Sequence, residues 1–287
     1  MILCSMLARG HILLEDIPGV GKTTLAVALS RAMSLNYKRM QFTPDVLPSD
    51  ILGFSLYDQK TGDFVYRPGA IFTNLFLADE INRTSPKTQS ALLEVMEEGS
   101  VSVDGHTRPL DKPFFVIATQ NPVGASGTQK LPDSQLDRFM IRLSLGYPDH
   151  ASAIEILQGR SSQNIDEVNA VLSAEDILSM QQATDAVYVK EDIMEYIVSL
   201  TEKTRGYDYL AQGISPRGSI ALLRMAKAHA FYMDRNYVTP EDVHAVLHST
   251  CSHRLMLNTK AKASGFDTSR VLDQIFVSVP IPKLSLA

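Results

Sequence analysis

The chain has 287 residues, of which 45% are hydrophobic and 21% charged, with 27 Lys and Arg against 32 Asp and Glu. This is an ordinary globular composition, long enough for one large domain or two smaller ones. The net charge of −5 argues against a generic nucleic-acid binder, two cysteines are too few for a disulfide framework, and no apolar run reaches membrane-spanning length. Sparse cysteine points to a reducing compartment, so a cytoplasmic location is expected.

The apolar start, Met1 to Leu7, has no basic leader and is too short for a signal peptide. It reads as the end of a helix ahead of a first strand, His11 to Glu15. Next come a turn with two glycines, a Lys-Thr pair and a helical pattern, which is the order of parts in a phosphate-binding P-loop. Gly19 and Gly21 free the backbone to curl its N–H groups around an anion. The following helix aims its positive end at the same place. Lys22 offers a charge to the outer phosphates, and the Thr23 hydroxyl is a candidate Mg²⁺ ligand. The candidate loop is therefore Pro18, Gly19, Val20, Gly21, Lys22, Thr23 and Thr24. The full P-loop pattern begins with Gly, whereas this chain has Asp16, whose carboxylate is expected to turn away from the phosphates.

Tyr37 to Phe42 reads as a second strand, and Phe54 to Arg67 alternates around the turn residues Lys60-Thr61-Gly62-Asp63 as a hairpin. Asn74 to Asp79 is a continuous apolar run, as in a strand buried on both faces of a parallel sheet. Ligands in such sheets sit at the carboxyl ends of the strands. Asp79 is thus expected beside Lys22 and Thr23, holding Mg²⁺ through water, with Glu80 placed to orient or deprotonate an attacking water. Ser85, Pro86 and Gly99 punctuate a helix, and Asp104-Gly105 marks a second hairpin over 100–107. Phe114 to Gln120 is a further strand running into Asn121-Pro122, where the Asn could meet a γ-phosphate or the water. Met140 to Leu143 closes the series, and the alternation of strands with helices argues a parallel α/β sheet.

Gly146-Tyr147-Pro148-Asp149 marks a boundary, beyond which strand signals vanish. Ser173 with Asp176, and Thr239 with Asp242, read as capping boxes. Ser215 caps another helix, and Arg217 stands in its first turn, where a cation opposes the helix dipole and an anion nearby would account for it. His244 and His248 are one turn apart, with Cys251 and His253 behind, but His253 falls off their face and a packed or solvated helix explains them better than a metal.

Taken together, the stretches Leu14 to Thr23, Leu77-Ala78-Asp79-Glu80-Ile81-Asn82-Arg83, Pro86 to Glu94, Ala118-Thr119-Gln120-Asn121-Pro122, Leu136-Asp137-Arg138-Phe139 and Ser215-Pro216-Arg217 resemble the AAA+ ATPases, and the MoxR family within them. The resemblance runs almost end to end. It implies an α/β fold, an AAA+ P-loop NTPase parallel-sheet core with β-hairpin inserts over residues 1–146, followed by a small all-α lid over 147–287. It implies ATP hydrolysis with Mg²⁺, Asn121 as first sensor, Arg138 as an arginine finger reaching a neighbouring subunit's nucleotide, and Arg217 as second sensor. By resemblance, the protein forms a homo-oligomeric, hexameric ring whose hairpins touch a client protein. Family partners often carry von Willebrand factor A domains; nucleic acid is not an expected partner. Family members carry further N-terminal residues that help form the adenine pocket, and this chain begins just before the P-loop strand. A truncated start and weakened base recognition both remain open. An ATP-gated scaffold with little turnover and a DNA-directed motor are the alternative functions.

Overall fold

The computed structural model describes residues 1–121, 131–158, 165 and 167–282. Its elements run α1 (Ile2–Leu7), β1 (Ile12–Glu15), α2 (Lys22–Ala32), β2 (Tyr37–Gln41), α3 (Pro48–Leu52), β3 (Gly53–Asp58), β4 (Asp63–Pro68) and β5 (Leu75–Asp79). They continue with α4 (Pro86–Glu98), β6 (Ser100–Val103), β7 (His106–Pro109), β8 (Phe115–Gln120), α5 (Asp133–Leu136), β9 (Ile141–Leu143) and α6 (His150–Leu157). Then follow α7 (Ala174–Asp185), α8 (Glu191–Thr204), β10 (Leu210–Gln212), α9 (Pro216–Tyr232), α10 (Pro240–Cys251), β11 (Met256–Leu257), α11 (Thr259–Ala263) and α12 (Thr268–Ser278).

Five of the strands form one sheet in the order β2-β5-β8-β1-β9. The β2–β5, β5–β8 and β8–β1 pairs are parallel, with Met40 opposite Ala78, Ala78 opposite Ala118, and Ala118 opposite Leu13. Every residue of β5 and β8 is buried, which is why both read as unbroken apolar runs rather than alternating ones. β2 is at one end of the order and carries the exposed Lys38 and Arg39. Phe76 and Phe115 are fully buried, each contributing about 1.5–3 kcal/mol through burial of its side chain. The punctuation read from the sequence is present around α4: the Ser85 hydroxyl accepts from Thr88 N at 3.2 Å, and Gly99 ends the helix at φ 62°.

The chain forms two compact units that interleave in sequence. The sheet unit comprises His11–Leu131 and Leu143–Leu178, and the helical unit comprises Met1–Gly10, Pro132–Arg142 and Ser179–Ala287. In the helical unit, α8 buries Ile193, Tyr196, Ile197 and Leu200, the helical spacing of a single apolar stripe. α9 presents Ala221, Ala226, Ala228 and Ala230, small residues that let it lie close against α10. The turn between those helices is held by Asp242, fully buried, which accepts from Arg235 and pairs with His229 Nδ1 at 2.7 Å. Burial alone would raise the Asp242 pKa, but bonds from Arg235, His229 and Thr239 hold it below the ordinary carboxylate value.

The helical unit also holds two short antiparallel strands, β10 and β11. Strands of three and two residues are too short to show a period of two, and no sequence pattern announces them. The His pair on α10 is solvent-accessible and engaged by protein partners: His244 stacks on Phe276 with centroids 4.2 Å apart, and His248 Nε2 lies 3.0 Å from Asp273. Among the described residues no group of three or more His, Cys, Asp or Glu is placed to hold a metal ion.

Candidate nucleotide-binding and hydrolytic site

β1 ends at Glu15, and α2 begins at Lys22. Gly19 has φ 87° and Gly21 φ 89°, and an added Cβ would meet nothing within 4 Å at either. Glycine is required there by backbone angle, not by space. The N–H groups of the first turn of α2 have no intrahelical partners, which leaves donors for an anion. Pro18, Gly19 and Thr24 are exposed, and Ile17, Val20 and Thr23 partly so. Lys22 is buried and donates to the Asp16 carbonyl at 2.7 Å and the Ile17 carbonyl at 3.1 Å. Burial lowers its pKa, opposed by the charges of Asp16, Asp79 and Glu80.

The Asp16 carboxylate is turned away from the loop and fully engaged. It accepts from Ser144 Oγ at 2.9 Å, from Gly146 N at 3.3 Å and from Leu145 N. The residue that departs from the usual P-loop pattern thus holds the segment just ahead of α6.

β5 delivers Asp79 and Glu80 from its carboxyl end. Asp79 Oδ1 accepts from Thr119 Oγ1 at 2.6 Å, and Oδ2 accepts from Arg39 Nη2 at 2.7 Å and Nε at 3.2 Å. Thr119 Oγ1 also accepts from Glu80 N at 2.9 Å. One fully buried hydroxyl therefore sets both acids. Glu80 is in the left-handed region, at φ 57° and ψ 46°. For a non-glycine residue that conformation costs about 1–3 kcal/mol and persists only where neighbours over-determine it. Its carboxylate is held on both oxygens: Asn121 Nδ2 donates to Oε1 at 2.9 Å, and Arg83 Nη1 donates to Oε2 at 2.7 Å. Gln41 Nε2 adds a longer bond to Oε2 at 3.4 Å. Burial would raise the Glu80 pKa, but the bonds from Arg83, Asn121 and Gln41, with the Arg83 charge, outweigh it and lower the value. Behind these, Asn82 Nδ2 donates to the Asn121 carbonyl at 3.2 Å, and Gln89 Nε2 on α4 donates to the Ile81 and Thr84 carbonyls at 3.1 and 3.3 Å.

The sheet unit thus contains Lys22, Thr23, Asp79, Glu80 and Asn121, while Arg138, just after α5, and Arg217, in the first turn of α9, belong to the helical unit. Pro122 lies outside the described residues. Sequence reasoning missed Thr119, Arg39, Asn82 and Gln89. Thr119 carried a signal: a polar residue inside a wholly buried strand requires a partner.

Residues 11–141 match the family described as ATPase family associated with various cellular activities (AAA), and residues 202–275 match the AAA lid domain. Chaperone MoxR1 of Mycobacterium tuberculosis is 36% identical over 293 residues, covering 99% of this chain and 78% of that protein. The chain belongs to the MoxR family of AAA+ ATPases. The uncharacterized Bacillus subtilis protein YeaC is 49% identical over 281 residues, covering 98% of this MoxR-family chain and 88% of its own length. A crystal structure from Cytophaga hutchinsonii superposes with a TM-score of 0.90 at 40% identity, covering 98% of this chain and 88% of that one.

The two inserted hairpins of this MoxR-family chain, β3–β4 and β6–β7, are both present. The first exposes Phe54, Leu56, Tyr57 and Phe64, the last being 74% exposed, and Tyr57 and Phe64 meet edge to face at 5.5 Å. Arg108 of β7 lies 3.7 Å over the Tyr66 ring of β4, joining the two hairpins. No helix among the described residues is long and apolar enough to cross a membrane.

Proposed function

We propose that this chain hydrolyses ATP to ADP and phosphate with Mg²⁺ and uses the reaction to remodel partner proteins as a hexameric ring. The observation that carries the reading is the set Asp79, Thr119, Glu80 and Asn121, which fixes two acids at the end of β5 with Lys22 close enough for its charge to be felt. Phosphate binding alone needs no such acids.

In this reading Pro18 to Thr24 wrap the phosphates, and Lys22 leaves its loop carbonyls to meet the outer ones. Thr23 and Asp79 supply oxygen donors, which suit a hard cation that keeps much of its water. The Asp79 oxygens already accept from Thr119 and Arg39, which fits contact through water. Mg²⁺ bound there would neutralise charge on the phosphate oxygens. Glu80 stays ionised and orients the attacking water, and Asn121 fixes both the carboxylate and that water. Arg138 stabilises charge at a neighbour's site, and Arg217 reads the nucleotide of its own subunit. Residues 1–146 act as the ATPase core and 147–287 as the lid.

The exposed aromatic face of β3–β4 is the surface we assign to clients. A relative named as a chaperone supports that work, and a partner with a von Willebrand factor A domain is the expected collaborator. Two free, buried cysteines, Cys4 and Cys251, are consistent with the cytoplasm.

The test is ATP turnover with Mg²⁺ across a range of protein concentration, beside Glu80→Gln. Turnover per subunit should rise with concentration and vanish in Glu80→Gln. Nucleotide binding without turnover would replace this reading with an ATP-gated scaffold.

A further inference from the structure

Arg138 and Arg217 stand on separate segments of the helical unit, and one buried cation ties those segments together. Arg254 follows α10 in the turn Ser252–Arg254, with only 2% of its side chain exposed. An unpaired guanidinium would be costly there, and its donors are satisfied. Nε donates to Asp137 Oδ1 at 2.8 Å. Nη2 donates to the Phe139 and Asp137 carbonyls at 2.7 and 3.3 Å, and Nη1 to the Met140 carbonyl at 3.2 Å and to the Thr250 carbonyl. The turn that carries Arg138 is therefore gripped on both sides of that residue.

The grip continues into α9. Asp137 Oδ2 accepts from Ser215 Oγ at 2.8 Å, and the same hydroxyl accepts from Gly218 N at 3.1 Å as the cap of α9. Arg217 lies between those two capping partners in sequence. Arg254 also packs against Gly218: a Cβ there would lie 2.6 Å from Ile214 Cγ2, 2.9 Å from Arg254 Cδ and 3.3 Å from Nε. The Arg217 charge is also felt at Arg254, where burial is the first cause of a lowered pKa.

We propose that Arg254, Asp137 and Ser215 form a positioning relay that sets Arg138 and Arg217 together, so that nucleotide contact at one displaces the other. The inference rests on the roles given above to those two arginines. In a ring the relay would pass the state of a subunit's own nucleotide to the finger it offers its neighbour, which is a coupling between two sites. Networks of this kind are separable from simple stabilisation only by measuring the coupling itself.

Ser215→Ala cuts the relay at one bond and leaves the Arg254–Asp137 pair intact. Ser215→Thr keeps both roles of the hydroxyl. Hydrogen exchange on the full chain, with and without a non-hydrolysable ATP analogue and Mg²⁺, reads the coupling independently of turnover. In the wild type, nucleotide should slow exchange at least threefold both in the first turn of α9 and across 136–141. In Ser215→Ala the second response should disappear while nucleotide still binds, and ATP turnover should fall about tenfold with KM within twofold. Ser215→Thr should restore both. A merely structural cap would raise exchange in α9 of Ser215→Ala with or without nucleotide and leave the response across 136–141 in place, which overturns the relay alone. A chain that binds no nucleotide overturns the relay and the proposed function together.

Discussion

Thr119→Val removes the hydroxyl that sets both acids of the site while nearly preserving shape. Two bonds are lost, Thr119 Oγ1 to Asp79 Oδ1 at 2.6 Å and Glu80 N to Thr119 Oγ1 at 2.9 Å. A hydrogen bond to a charged group contributes about 1.5–3 kcal/mol, and a buried N–H left without a partner costs about 1–3 kcal/mol. The two losses share one atom and are not additive, so a destabilisation of about 2–4 kcal/mol is expected. Glu80 suffers further, because its left-handed conformation loses the bond that holds its own N–H. A misplacement of about 1 Å at a reacting group can cost about 100-fold in rate. The expected result is a kcat lowered by about 30–100-fold with KM for ATP within about threefold, since Lys22 and the loop are untouched. Steady-state turnover at saturating ATP and Mg²⁺, with a urea unfolding curve, measures both effects. Thr119→Ser, which keeps the hydroxyl, should recover most of the rate. Undiminished turnover in Thr119→Val, or a Ser variant as slow as Val, would refute the view that this hydroxyl organises the site.

Three further outcomes are expected. His11 is buried, donates from Nε2 to the Met96 carbonyl at 2.9 Å and accepts from Val116 N at Nδ1, 3.0 Å. Burial lowers its pKa from 6.5 to about 4. The unfolded chain takes up this proton near pH 6.5 and the folded chain does not until about pH 4, so stability is full above pH 6.5 and falls by about 3 kcal/mol on the way to pH 4, at about 1.4 kcal/mol per pH unit. His11→Gln should be less stable at pH 7 and lack that part of the slope in unfolding measured against pH. Arg39 places a cation on an oxygen of Asp79, the proposed metal ligand, so Arg39→Met should lower the Mg²⁺ needed for half-maximal turnover by about threefold to tenfold; an unchanged Mg²⁺ titration would count against that role for Asp79. Asp16→Gly restores the usual first P-loop residue but leaves Leu145 N and Gly146 N without their acceptor, so it should destabilise by about 1–3 kcal/mol and speed hydrogen exchange at those two amides.

The sequence alone determined the strands of the main sheet, the helix caps and the two-glycine loop after β1. β1, β5 and β8 were legible because a strand buried on both faces is apolar over most of its length, and the helix ends because Ser85, Gly99 and Ser215 satisfy backbone groups within three or four residues of themselves. Gly19 and Gly21 were legible because only glycine adopts their backbone angles freely. Those are local constraints, written in adjacent residues. The partners inside the site are not local. Thr119 meets Asp79 across 40 positions, Asp16 meets Ser144 across 128, and Arg254 meets Asp137 across 117. Each depends on which strand lies beside which, and on where the chain returns after its helices. A hydroxyl or a guanidinium has the same appearance in the sequence whether it faces water or closes such a bond. Only the tertiary structure decided that, because burial removes water as the alternative partner and leaves each donor the acceptor that the fold brings to it.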